Sequence, residues 1–344
     1  MLLRVAFDVA SPAGRRAKLS VLVFHRVLAE RDPLFSDQPD IARFDELIGW
    51  INEWFEILPL DEAVSSLRRG GLPARAAAIT FDDGYADNLL NAVPVLRKHG
   101  VHATFFIATG FIGQGCMWND TIIESVRRAK VPAIDCGFVG LGNLAVENKD
   151  QKRSAIEQLV GAVKYLPLAQ RAEAVARIAD RCSAQLPQDL MLTLPQLREL
   201  HGAGMGIGAH TVSHPILAML DEKSARKEIA DSRDFLVGTL GAPVGLFAYP
   251  NGKSGVDYTH EHSRMVKSLG FDAAFATNWG VGRTTSDIYQ LPRFTPWDAT
   301  RLRFGLRLLM NAGRRDVAIR DERGPGHRGQ PGSGPRRAVP PKCR

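Results

Sequence analysis

Cysteine is scarce in this chain of 344 residues: Cys116, Cys136, Cys182 and Cys343, with no CxxC spacing among them. That spacing argues against a zinc ribbon or a thioredoxin-like redox motif, and reduced thiols in a cytoplasmic protein are the expectation. Long apolar runs are absent too, and none reaches the roughly 18 residues of a membrane span. The stretch from Met1 to Lys18 is interrupted by Arg4, Asp8, Pro12, Arg15 and Arg16, so no signal peptide is expected. No unit recurs at a period of about 20–50 residues, which argues against a solenoid. With 45% hydrophobic and 24% charged residues, the composition is that of a globular domain.

The net charge of +7 is unevenly placed, because residues 313–344 hold nine Lys or Arg against three acidic residues. The body is therefore nearly neutral and offers no nucleic-acid surface. The tail is rich in Gly and Pro and is expected to be disordered, since it cannot bury enough apolar surface to offset its ordering entropy. It either touches an anionic surface or simply solubilises the chain.

Short apolar runs alternate with amphipathic helical patterns. Strands are expected at Leu19–Val27, Ala76–Phe81, Ala103–Ala108, Met205–Ala209, up to Tyr249, at Phe271–Ala276 and at Leu291–Phe294. Helices are expected around Phe44–Phe55, from an Asp61 cap to Leu67, over Asp87–His99, before Gly202, over Glu222–Leu240 and over Glu261–Leu269. Repeated βα alternation implies a parallel sheet covered by helices, and a single barrel of about 250 residues plus extensions suits the length. Residues 112–193 break that rhythm with helical periods at Asn119–Ala129, Lys152–Tyr165 and Gln170–Ser183. They read as a helical insertion, either a cap over a site or a structural excursion. A last helix over Asp298–Met310 would align Leu302, Leu306, Leu309 and Met310, with Arg301, Arg303 and Arg307 supplying positive charge. Such a helix either packs on the barrel or lies on an anionic bilayer.

Two strand ends carry chemistry. Thr80-Phe81-Asp82-Asp83-Gly84 places adjacent carboxylates after an apolar run, and His210-Thr211-Val212-Ser213-His214 places two imidazoles four residues apart after a small-residue run. Adjacent like charges are costly unless a cation is near or one is protonated. An exposed turn would explain the Asp pair alone, but parallel α/β folds place their sites at the carboxyl ends of strands. If the two loops meet, one carboxylate and two imidazoles can hold a divalent metal while the other carboxylate serves as a base.

Together the two motifs resemble the first two motifs of the polysaccharide deacetylase family, which has a NodB-like domain and belongs to the carbohydrate esterases. The resemblance covers roughly Leu19 to Trp297 apart from the insertion. It implies an α/β fold: a distorted (β/α) barrel within residues 19–312, after an N-terminal extension 1–18. It also implies Asp83, His210 and His214 as metal ligands and Asp82 as the catalytic base. The segment Phe247-Ala248-Tyr249-Pro250-Asn251-Gly252 resembles a third motif, in which the N–H of Asn251 would bind the oxyanion. Two positions depart from the family pattern. Ala248 stands where an arginine commonly steadies the base. Leu291-Pro292-Arg293 offers Arg293 where a histidine acid is usual, and arginine is a poor proton donor. His25, at the end of the first strand, is the replacement acid favoured here; a histidine satisfied beneath the loops is the alternative. Asn278-Trp279 loosely echoes a fourth motif, and Tyr85, Tyr249, Pro250, Trp279 and Arg293 are the candidate substrate contacts.

The activity this implies is metal-dependent hydrolysis of an N-acetyl or similar N-acyl group on an amino-sugar polysaccharide, oligosaccharide or lipid-linked glycan. Zinc is the first choice, with cobalt, nickel or manganese also compatible with the donor set. A carbohydrate O-acetyl esterase and a non-catalytic glycan-binding barrel are the alternatives. The expected location is the cytoplasm, with peripheral contact at the inner membrane face through the last helix.

Overall fold

The computed structural model describes residues 2–296 and 298–314. Nearly all of the tail expected to be disordered, and Cys343 within it, lie outside the described residues. The other three cysteines are free thiols.

The chain opens with helix α1 (Leu2–Ala10), which the N-terminal sequence did not announce. Its Phe7 is buried against Trp54 and Phe55, with ring centroids 6.0 and 4.5 Å away. Strand β1 (Ser20–Phe24) follows, then α2 (Ile41–Trp54), β2 (Glu56–Ile57), α3 (Leu60–Arg69) and β3 (Ala76–Phe81). Every residue of β1 and β3 is buried, as expected of parallel strands covered on both faces. Helix α2 buries Phe44, Leu47, Ile48, Ile51 and Trp54 at helical spacing, and Asp40 caps it by accepting from the Arg43 N–H at 2.7 Å. Asp61 does not cap α3: it lies in the first turn with Glu62, where negative charge favours the helix dipole, and Pro59 holds the cap position.

The helix expected over Asp87–His99 is split. A π-turn spans Asn88–Ala92 before α4 (Val93–Lys98). Pro94 has no N–H for a regular bond to Leu90, and the turn widens there. After β4 (Ala103–Ile107) comes the insertion: α5 (Trp118–Arg127), the hairpin β5 (Ala133–Asp135) and β6 (Asn143–Ala145), α6 (Lys149–Val163) and α7 (Leu168–Cys182). It has its own apolar core, including Ile122, Ile134, Ile156, Leu159 and Ile178, joined by Leu34 from the β1–α2 connection. Asp32 of that connection pairs with Arg127 at 2.5 Å.

The barrel resumes with α8 (Leu194–Gly202), β7 (Gly206–Ala209), α9 (Glu222–Leu240), β8 (Leu246–Ala248), α10 (His260–Ser268), β9 (Ala273–Phe275) and α11 (Arg301–Ala312). Among the described residues the main sheet has seven parallel strands in the order β1-β3-β4-β7-β8-β9, with β2 also on β3. Leu291–Phe294, expected as a strand, is not continuous, because Pro292 cannot donate to a ladder. It makes isolated parallel bridges from Leu291 to Phe275 and from Phe294 to Leu22, and so spans the gap between the two sheet edges. This curled sheet with surrounding helices is the distorted barrel expected, and the segment between its edges carries Arg293 into the interior.

Candidate metal and catalytic site

At the carboxyl end of β3 the strand continues for one residue, the Asp82 N–H donating to the Phe24 carbonyl at 3.0 Å. The backbone then turns sharply, with φ of 79° at Asp83 and 90° at Gly84. Neighbouring residues on a strand point to opposite faces; this turn lets both carboxylates serve one end of the barrel. Only glycine fits position 84, since a Cβ there would sit 3.3 Å from the Ile107 side chain in a conformation L-residues rarely adopt. At the end of β7 the His210 N–H donates to the Ile107 carbonyl at 3.1 Å, and the loop beyond takes positive φ at Thr211 (66°) and His214 (50°). Glu228 of α9 holds this loop by accepting from the N–H groups of Val212 and Ser213 at 2.9 and 2.8 Å and from the Ser213 hydroxyl at 2.7 Å.

The two loops meet. Asp83 Oδ1 lies 3.5 Å from His210 Nε2 and 3.4 Å from His214 Nε2, and the three ligand atoms lie within 4.8 Å of one another. Tetrahedral ligands at about 2.0–2.1 Å from a zinc ion stand about 3.3 Å apart, so these two separations suit an ion. His210 Nδ1 is 2.7 Å from the Ala248 carbonyl, which fixes that nitrogen as the donor and leaves Nε2 with its lone pair toward Asp83. Asp83 Oδ1 is buried with no hydrogen-bond partner, a vacancy in its bonding that a cation would satisfy. Burial would raise the Asp83 pKa, but the two histidines hold it below the usual carboxylate range. Burial pushes His214 down to about 3, against the pull of Asp83, so its imidazole is neutral and ready to coordinate. For His210 the attraction of Asp82 and Asp83 outweighs burial and raises its pKa. The residues present therefore fit a divalent metal.

Asp82 is held apart from that triad. Arg293 is fully buried and grips it in a bidentate pair, Nη1 to Oδ1 and Nη2 to Oδ2 at 2.7 Å each. The guanidinium is itself fixed by the Ala276 carbonyl at 3.1 Å and Thr80 Oγ1 at 3.4 Å. Burial alone would raise the Asp82 pKa; Arg293, with His210 and His25, overcomes it and keeps the group below its ordinary value. Asp82 is thus an ionised carboxylate with a fixed orientation. The expectation of Arg293 as a substrate contact is corrected, since it is buried and faces Asp82. It fixes the Asp82 carboxylate, which Ala248 cannot do. A sequence signal for this existed: without an arginine at 248, a buried Asp82 carboxylate needed a cation from elsewhere.

The remaining expected residues are placed less uniformly. Asn251 sits in a turn at φ 57°, its carbonyl accepting from Thr277 Oγ1 at 2.5 Å, and its N–H donates to no described residue. Pro250 is buried beside it, its carbonyl accepting from the Gly252 N–H at 2.6 Å. Tyr249 is not a substrate contact: its ring is buried, stacked on Tyr258 at 3.8 Å, with its hydroxyl donating to the Tyr289 carbonyl at 2.9 Å. It anchors the Pro250–Gly252 turn from below. Tyr85 is likewise buried, with its hydroxyl donating to Asp120 at 3.1 Å and the Arg26 guanidinium 4.7 Å above its ring. It ties the Asp-pair turn to the insertion. Trp279 is half-buried against Phe294, with ring centroids 5.2 Å apart. His25 is exposed at the end of β1 and interacts electrostatically with both Asp82 and Asp83. Glu228 was not foreseen, because nothing at its position in the α9 pattern marks it as the brace of a loop.

The family model described as polysaccharide deacetylase matches residues 69–274. The chain belongs to the polysaccharide deacetylase family. Members of this family are amide hydrolases, and the Asp83, His210 and His214 group is one that could hold the metal such chemistry uses. Bacillus subtilis YxkH, assigned to the same family, is 22% identical over 279 residues, 80% of this chain and 71% of that protein. A Staphylococcus aureus poly-β-1,6-N-acetyl-D-glucosamine N-deacetylase is 34% identical over 125 residues; the match spans 35% of this chain and 43% of that enzyme. Among solved structures, the Streptococcus pyogenes deacetylase PplD in complex with acetate aligns with a TM-score of 0.56 at 19% identity, over 85% of this chain and 98% of that one. IcaB from Ammonifex degensii aligns with a TM-score of 0.56 at 18% identity, over 88% and 99%. At such identities these two structures establish the shared fold.

Proposed function

We propose that this polysaccharide deacetylase removes the N-acetyl group from an N-acetylglucosamine-containing glycan, with zinc held by Asp83, His210 and His214. The observation that carries this reading is the separation of one ionised carboxylate, Asp82, from the triad beside it. The named substrate of the Staphylococcus aureus relative points to the sugar. A bound divalent ion supplies Lewis acidity to the acyl oxygen and brings the pKa of a water to about 7. Asp82 takes the proton of the attacking water, and Arg293 keeps that carboxylate ionised and aimed. The Asn251 N–H is the protein donor for the developing oxyanion. His25, exposed at the same end of the barrel, gives a proton to the departing amine.

The His25 assignment has its own test. An amine leaves poorly unless protonated, whereas an ester's leaving alkoxide needs less help. His25→Gln should lose about 100-fold on an N-acetylated oligosaccharide and much less on an O-acetyl or aryl acetate ester. Equal losses on amide and ester would remove His25 from the acid's role.

The same proposal places the enzyme in the cytoplasm at the inner membrane face. In α11, Leu302, Leu306 and Met310 are 61%, 48% and 74% exposed and recur every four residues, while Phe304 and Leu308 face the core. Leu309, expected on the outer stripe, is half-buried. Arg301 is paired with Glu53 and Arg307 with Asp298, so among the described residues Arg303 is the one of the three with no ion pair. Changing Leu302, Leu306 and Met310 to Ser should abolish co-sedimentation with vesicles containing anionic lipid, in chains ending at residue 314. Co-sedimentation indifferent to these changes, or absent in the parent chain, would leave α11 as ordinary packing.

A further inference from the structure

We infer that Arg171 is a positioning residue for the metal centre: from α7 of the insertion it grips the backbone of the His210–His214 loop, and metal affinity depends on that grip. The inference rests on His214 being a ligand. Arg171 is buried, with Nη2 donating to the Ser213 carbonyl at 3.0 Å and Nη1 close to the His214 carbonyl at 3.4 Å. Its guanidinium carbon lies 4.7 Å from the ring centre of Trp118, the first residue of α5. Among the described residues no carboxylate forms an ion pair with it, although Glu228 acts on it at longer range. Burial brings its pKa down to about 10, so the group stays charged at neutral pH. A buried guanidinium without an ion pair is costly, and here its donors are directed at peptide carbonyls.

Those carbonyls belong to the ligand loop. Glu228 takes the N–H groups of Val212 and Ser213, while Arg171 takes the carbonyls of Ser213 and His214. The loop is thus held by a carboxylate from the barrel and a guanidinium from the insertion. The two ligating histidines differ in how their rings are fixed. His210 Nδ1 is bonded to the Ala248 carbonyl, whereas His214 Nδ1 is buried with no hydrogen-bond partner. A ligating imidazole is ordinarily oriented through its second nitrogen. Lacking that anchor, His214 is placed by its backbone, which sits at φ 50°, a conformation that costs a non-glycine residue energy unless its surroundings hold it. Arg171 is part of those surroundings.

The test is a zinc titration of metal-stripped protein against a chromophoric chelator, with the unfolding midpoint of the stripped protein measured in parallel. Arg171→Met keeps the apolar stem and removes the donors. It should weaken zinc affinity by about tenfold or more, the range expected when an outer-shell partner of a metal ligand is lost. Arg171→Lys restores a charge that can reach one carbonyl, and should fall between the two. Arg127→Met breaks the Asp32 pair in the same insertion without touching the loop, and should bind zinc as the parent does. Parent-like affinity in Arg171→Met would overturn the inference; so would an equal loss in Arg127→Met, which would mean general loosening of the insertion. If Arg171→Met does not fold, parent-like affinity in Arg171→Lys overturns it instead. His214→Ala in the same titration separates the two levels. Undiminished zinc binding there refutes the ligand assignment itself, whereas loss there with parent-like Arg171 variants refutes only the positioning role.

Discussion

Asp82→Asn retains bound metal and loses at least about 100-fold in turnover. Asparagine keeps the shape of the side chain and can still accept from Arg293, so neither the β3 turn nor the metal triad is disturbed. What it cannot do is take a proton. Asp83→Ala should instead lose the metal, and turnover with it, because its Oδ1 is the atom shared between the two histidines. Metal content and turnover measured on the same samples distinguish the two adjacent carboxylates. Near-parent turnover in Asp82→Asn would remove the base assignment.

Arg293→Met has the largest expected effect on the fold. It leaves Asp82 buried without the guanidinium that holds both its oxygens. Breaking a buried pair by removing one partner typically costs about 3–5 kcal/mol. The pH dependence follows from the direction of the Asp82 shift. In the parent, the depressed pKa adds stability above the carboxylate's unfolded value, and that stability is lost as pH falls through the folded value. Without Arg293, burial dominates and the folded pKa rises above the unfolded one. The variant should then lose stability as pH rises, and its deficit should be greater at pH 8 than at pH 5. The acid limb of its rate profile should move to higher pH, since the base ionises later. Urea midpoints at the two pH values and a rate profile check this; a parent-like profile would show that Arg293 is only a packing residue.

The parts of the fold that were legible are those where one local rule operates alone. The six buried residues of β3 and the period of α9 were read with their observed limits, because continuous burial and a capped amphipathic stripe each leave a plain pattern. The meeting of Asp83 with His210 and His214 was legible because both motifs follow strands whose carboxyl ends face one side of the sheet, and because together they resemble a known family's motifs. The barrel's closure was misread at Leu291–Phe294, where composition suits a strand but Pro292 removes the ladder bond. The α4 region was misread for the same kind of reason, a proline inside a helical pattern. Tyr249 looked like a substrate contact because it adjoins Pro250, yet alternation sends its ring into the core against Tyr258. The partnership of Asp82 and Arg293 joins residues 211 apart in sequence and became visible only when the sheet curled. The arginine's local motif had suggested a failed acid; its geometry makes it the counter-ion of Asp82.

The most direct measurement is acetate release against metal occupancy on a single preparation. The protein is stripped of metal, offered an N-acetylglucosamine oligomer, and reloaded stepwise with zinc while acetate and free amine are counted. Acetate release should be absent from the stripped protein and should rise in proportion to occupancy, with one amine exposed for each acetate. Undiminished release without metal, or full occupancy with no acetate from the N-acetylated sugar, would contradict the account.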